Sequence, residues 1–230
     1  MLSDKVLLKR DYEKLQFVRW VLFLITAAES AGLNALSRSR LHSLLFVSFA
    51  SARFYGLQPL RERAQRTPHG PYYRAAHLAL GHLVFADLVT VSQFKAHPSP
   101  KDLQFDGIFK LTKNGLEVCR TLRQTITGGK IYTFLLDLCL GAVQSLEAEG
   151  VSEEQEDRSL DQMLVRDLTY VSALNRPGQM LLIEEEGGGS TPTVEGLKKI
   201  QSLLVDKRFT NRKDVLSAYQ SILQIRAEVA

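Results

Sequence analysis

The sequence predicts a mainly α-helical chain with one small β-hairpin: a winged-helix domain over residues 1–127, then a helical C-terminal region over residues 128–230 with acidic and glycine-rich connections. Three observations predict it. Apolar residues recur at helical spacing through most of the chain. A β-branched run, Leu88 to Phe94, interrupts that period after three helical segments. A return strand and a capped helix follow at once, which is the order of a tri-helical core with a wing.

The first helix is predicted over residues 6–28. Val6, Leu7, Tyr12, Leu15 and Val18 keep helical spacing, and Trp20, Val21, Leu22, Phe23 and Leu24 then run together, so the second half is buried on all sides. Glu29, Ser30 and Gly32 end it. A second helix runs from Ser37, a suitable N-cap, to Ala52, with Leu41, Leu44, Leu45, Val47 and Phe49 on its apolar face. Gly56 and Pro59 break the pattern, and the basic residues 61–70 read as a loop. The third helix spans Tyr72 to Ala86. The wing is the strand Leu88–Phe94, a loop with Pro98, Pro100 and Asp102, and a return strand from Phe105 to Leu111. Thr112 caps a helix from Lys113 to Gln124.

After Gly128 and Gly129 the composition changes. Beyond them come an apolar helix, Ile131–Leu146, an acidic solvated run over 147–161, and an amphipathic helix, Leu160–Leu174. Met180 to Glu186 is a short strand, Gly187 to Pro192 a flexible break, and Val194–Val205 and Asp214–Val229 are the last two helices.

The 230 residues, 45% hydrophobic and 23% charged, have the balance of a soluble globular protein. Cys119 and Cys139 are too few for a disulfide scaffold or a cysteine-rich zinc site, and suit a reducing compartment. The apolar stretch Phe17–Ala28, interrupted by Arg19 and Thr26, is too short to cross a bilayer, and the mixed-charge opening is not a signal peptide. The expected location is cytoplasmic, with no membrane partner.

Charge is unevenly placed. Residues 1–130 carry 19 Lys+Arg against 9 Asp+Glu, a net of +10; residues 131–230 carry 10 against 16, a net of −6. A basic half points to an anionic partner, either nucleic acid or an acidic protein surface.

Catalytic chemistry finds no support in the sequence. No P-loop and no Gly-x-Ser-x-Gly elbow occurs. His77 and His82 are five apart and fall on different helix faces, so they make no metal pair. Cys119 reads as a buried thiol. Glu184, Glu185 and Glu186, with Asp157 or Asp161, would have to converge to hold a metal, and consecutive carboxylates mostly point apart. The expectation is no enzyme, no cofactor and no metal.

The basic residues fall where a winged helix meets DNA. Arg61, Arg63 and Arg66 precede the third helix, and Tyr73, Arg74 and His77 begin it. Lys95 and Lys101 flank the wing loop, with Lys110 and Lys113 at its return, all suited to phosphate contacts. The rest of the third helix is too apolar to lie in a groove, so the expected DNA contact is non-specific. The last helix carries an apolar stripe of Val215, Leu216, Tyr219, Ile222 and Leu223, which packs internally or docks a partner.

The helix-rich N-terminus, Thr67-Pro68-His69-Gly70-Pro71-Tyr72-Tyr73-Arg74, Leu88-Val89-Thr90-Val91, Leu111-Thr112-Lys113-Asn114-Gly115 and the terminal Arg212-Lys213-Asp214-Val215-Leu216-Ser217-Ala218-Tyr219 together resemble the small middle component of bacterial ABC-three-component and Lamassu-type defence systems. The resemblance implies a non-enzymatic accessory subunit in anti-phage and anti-plasmid (antiviral) defence. It would bind the heads of an SMC-like ATPase and support DNA engagement, beside a separate effector nuclease. The alternatives are a winged-helix DNA-binding transcriptional regulator and a cryptic nuclease subunit.

Overall fold

The apolar run after Phe17 organises the molecule. In the computed structural model, which describes residues 2–33, 36–67, 70–98, 103–147, 160–174, 180–182, 190–204 and 211–228, α1 (Leu2–Ala31) carries that run through the centre. Trp20, Val21, Leu22, Phe23, Leu24 and Ile25 are all buried, as an all-round apolar helix must be. α2 (Arg38–Ser51) packs beside it. Ser37 caps α2 by accepting a hydrogen bond from Arg40 N at 3.3 Å. The serines inside this buried helix are satisfied: Ser48 Oγ donates to Leu45 O and receives Trp20 Nε1 at 3.1 Å.

A 3-10 turn (Ala52–Tyr55) ends α2 and leads to β1 (Arg63–Thr67) and β2 (Gly70–Tyr72). Residues 61–70 are therefore not the simple loop that their composition implies. β1 pairs antiparallel with β2 and, on its other edge, with β5 (Met180–Leu182), giving the order β2-β1-β5. β1 has no sequence signature because only its Ala64 is buried and its second partner strand lies far along the chain.

α3 (Arg74–Phe85) follows, then a long hairpin of β3 (Val89–Pro98) and β4 (Leu103–Leu111). The bulge between Ser92 and Lys95 kinks this hairpin, with Gln93 at φ 54°. The outer edge of β4 is covered by residues 36–37: Phe109 N donates to Leu36 O at 3.1 Å, and Ser37 bridges Ile108. Thr112 caps α4 (Lys113–Arg123) by accepting from Gly115 N at 2.9 Å, as predicted.

α5 (Ile126–Glu147) runs unbroken through Gly128 and Gly129 and so begins before the expected helix Ile131–Leu146. Gly128 is a packing residue: a Cβ on it would collide with the Leu122 carbonyl oxygen at the α4–α5 corner. By length and apolarity, Ile126–Ser145 would suffice to cross a membrane; here Ile131, Phe134, Leu135, Leu138 and Ala142 are core residues.

The predicted helix over 160–174 is two pieces, residues 160–164 and α6 (Leu168–Leu174), separated at Asp167, which caps the second. α7 (Pro192–Leu204) and α8 (Arg212–Glu228) complete the chain, with α8 against α5 and α5 against α1. One hydrophobic cluster runs from Phe17 to Leu223 and draws on both sides of residue 127. The chain is mostly helical with two small antiparallel sheets. The acidic residues 148–159 and the glycine-rich residues 187–189 lie outside the described residues.

Candidate nucleic-acid and partner interface

The face that α3 offers to solvent is set by which residues its other face buries. Tyr73, Ala76, His77, Leu80 and Leu83 lie at helical spacing, and all are buried. Tyr73 is 0% exposed, its ring between Phe17 at 6.3 Å, Phe49 at 5.6 Å and His42 at 6.4 Å. Its backbone N–H donates to His42 Nδ1 at 3.0 Å. Tyr73 and His77 are therefore core residues, and the sequence reading that gave them to DNA is corrected. The same four-residue spacing that put them together at the start of α3 put both on the buried side. Burial, with Arg38 and His77 nearby, holds His42 down to about 3, so it is neutral at physiological pH.

Arg74 is the one expected contact of α3 that stays on the surface. Beyond it the exposed stripe reads Leu78, His82 and Phe85, with Phe85 95% and Leu78 54% exposed. The sequence holds a trace of this. Apolar residues at 75, 76, 78, 79, 80, 83, 84 and 85 are more than one buried helix face accommodates.

Arg61 and Arg63 are exposed before and on β1. Arg66 is exposed too, but its Nη1 donates to Leu174 O at 2.9 Å, which ties β1 to the end of α6. Lys95 is exposed on β3, opposite Asp106 in the hairpin register. Lys110 and Lys113 are exposed at the end of β4 and the start of α4, and Lys101 lies outside the described residues. Phe94, within the bulge, is 59% exposed. Arg61, Arg63, Arg74 and Lys95 are thus all exposed, Arg61 and Arg63 before and on β1, Arg74 on α3 and Lys95 on β3.

The apolar stripe of the last helix does not form a docking surface. Val215, Leu216, Tyr219 and Leu223 are buried in the chain's own core, and of the five expected partner contacts only Ile222 is exposed. Tyr219 Oη donates to Asp167 Oδ2 at 2.9 Å and accepts from Leu168 N at 3.1 Å. Gln220 Nε2 donates to Leu138 O at 2.8 Å, fixing α8 on α5.

Asp167 carries no sequence motif, yet it is fully buried. Its carboxylate accepts from Thr169 N, Tyr170 N, Thr193 Oγ1 and Tyr219 Oη at 2.7–3.2 Å. Burial raises its pKa, and these bonds pull against the rise. All four donors are spent on joining α6, α7 and α8, so this is a structural fastening.

Both cysteines are free and buried. Burial pushes the Cys139 thiol up to about 12 and raises that of Cys119, which sits 2.9 Å from the Thr26 hydroxyl. Asp161 faces Arg40 at 3.4 Å, while Asp157 and Glu184–Glu186 lie outside the described residues. Among the described residues no three His, Cys, Asp or Glu side chains gather as a metal site. Comparison of the chain with protein-family models, curated proteins and solved structures finds no match to any of them.

Proposed function

We propose that this chain is a non-enzymatic winged-helix accessory subunit of an SMC-like ATPase complex in anti-phage and anti-plasmid defence, binding the ATPase heads and supporting non-specific DNA engagement beside an effector nuclease. The observation that carries the reading is the solvent face of α3. A helix that reads a DNA groove presents polar base-contacting side chains near its N-terminus. This one presents Leu78 and Phe85, which suit a protein surface.

The order of elements supports the winged-helix arrangement. Three helices, with the β1–β2 pair inserted before the third, precede the β3–β4 hairpin, and residues 36–37, between the first two helices, meet β4 through the Phe109 N–Leu36 O hydrogen bond and a single bridge from Ser37 to Ile108. Arg61, Arg63, Arg74 and Lys95 supply phosphate contacts around that core. The alternative, a transcriptional regulator, is weakened because Tyr73 and His77 are buried and only Arg74 and His82 remain as polar side chains on the exposed stripe of α3.

The test is co-purification with the product of an adjacent ATPase gene, using wild type and the double variant Leu78→Glu, Phe85→Glu. The wild type is expected to be retained and the double variant lost, with the variant's unfolding midpoint unchanged because both side chains are exposed. Equal retention of both, or a monomer that does not associate with the ATPase, overturns the reading.

A further inference from the structure

We propose that the cleft between the 3-10 turn and the start of α7 binds a small phosphate monoester. The cleft has a volume of about 320 Å³, at the lower end of the range for small-molecule sites. It is lined by Arg53, Gly56, Leu57, Gln58, Ser190, Val194 and Lys198. Among these described residues the two charges are both positive, and no carboxylate is present.

The two walls are fixed to one another before any ligand arrives. Thr191 Oγ1 donates to Ala50 O at 2.6 Å and accepts from Val194 N at 3.1 Å, so one side chain caps α7 and joins it to the end of α2. On the opposite wall Gly56 N donates to Arg53 O and Leu57 N to Ala52 O, both at 3.0 Å. Gly56 closes that turn at φ 73°, where a side chain would be strained. The first amides of α7 are already taken: Thr193 N by Thr169 Oγ1, Val194 N by Thr191 Oγ1 and Glu195 N by Thr191 O. The donors left to face the cleft are side chains.

Those side chains match a phosphate on a carbon-bearing body. Arg53 brings to one wall a guanidinium fork of five N–H donors, a geometry suited to phosphate, beside the interaction it already makes within the chain. Lys198 supplies a second, mobile charge, and Gln58 and Ser190 supply neutral donors. Leu57 and Val194 form an apolar floor for the organic part.

Calorimetric titration at fixed ionic strength tests this, with adenosine monophosphate, adenosine and inorganic phosphate as probes. Adenosine monophosphate is expected to bind and adenosine not, and inorganic phosphate is expected to displace the nucleotide. Lys198→Met, at an exposed position, is expected to weaken the nucleotide about tenfold or more while leaving the unfolding midpoint in place, and Arg53→Gln to weaken it as much. Adenosine binding as tightly as its monophosphate, no binding of the monophosphate at millimolar concentration, or equal binding by both variants and wild type overturns the proposal.

Discussion

Tyr219 donates its hydroxyl hydrogen to Asp167 at 2.9 Å, joining the last helix to a buried carboxylate 52 residues earlier in the chain. The same hydroxyl oxygen accepts from the first amide of α6, Leu168 N, at 3.1 Å. One phenol thus satisfies both a buried charge and an orphan helix donor.

Tyr219→Phe removes both bonds and keeps the ring. The expected loss of stability is about 1–3 kcal/mol, because a buried carboxylate loses one of four donors. Urea unfolding measures it. A Tyr219 that served only a partner would leave the midpoint where it is.

Tyr73→Phe is expected to behave in the opposite way. The Tyr73 hydroxyl is buried and has no hydrogen-bond partner among the described residues. Removing it leaves stability unchanged or raises it by up to about 1 kcal/mol, since an unsatisfied buried hydroxyl is lost. Affinity for DNA measured by fluorescence anisotropy should not move. A fall in affinity would mean that the side chain reaches DNA after all.

His42 makes stability depend on pH. Its folded pKa, about 3, lies below the unfolded value near 6.5, so the unfolded chain binds more protons between these limits. Stability is therefore fully present above about pH 6.5 and falls as the pH drops, by up to about 1.4 kcal/mol per unit from this group. His42→Gln removes the titration and keeps an acceptor for Tyr73 N. Unfolding of both proteins at pH 7 and pH 5 is expected to show a larger loss for wild type, and equal losses would contradict the assignment.

Gly128→Ala separates two roles for the glycine pair by the sign of one measurement. In an unstrained helix interior Ala favours the helix by about 1 kcal/mol over Gly. Here the new Cβ meets the Leu122 carbonyl oxygen, which belongs to backbone and cannot swing aside. The thermal midpoint is expected to fall, with a cost of about 1–3 kcal/mol. A rise would show that the Cβ is accommodated and that helix propensity decides.

Charge reversal at Arg61, Arg63 and Arg74 is expected to weaken DNA binding alike across unrelated sequences. It should also flatten the dependence of log K on log salt by about one unit for each phosphate that the protein no longer neutralises. Arg66→Glu should add a cost to folding, because Arg66 anchors β1 to Leu174 O. Weaker binding at one sequence alone would favour the regulator.

Local chemistry in the sequence determined most of the helices, the caps at Ser37 and Thr112, the β3–β4 hairpin, and the burial of the Phe17–Ala28 run. These features depend on spacing and capping within a few residues, which the sequence displays directly. Tertiary structure alone decided which side of α3 holds Tyr73 and His77, because a helix apolar on several faces has no local preference for which one turns inward. It decided that Val215, Leu216, Tyr219 and Leu223 turn into the chain's own core, because an amphipathic stripe fits that core as well as a partner's. The β1–β5 pairing and the Asp167 fastening were decided in the same way. Gln65 meets Met180, and Asp167 meets Thr193 and Tyr219, only after the chain has closed on itself, and contacts between residues so far apart leave no period in the sequence that joins them.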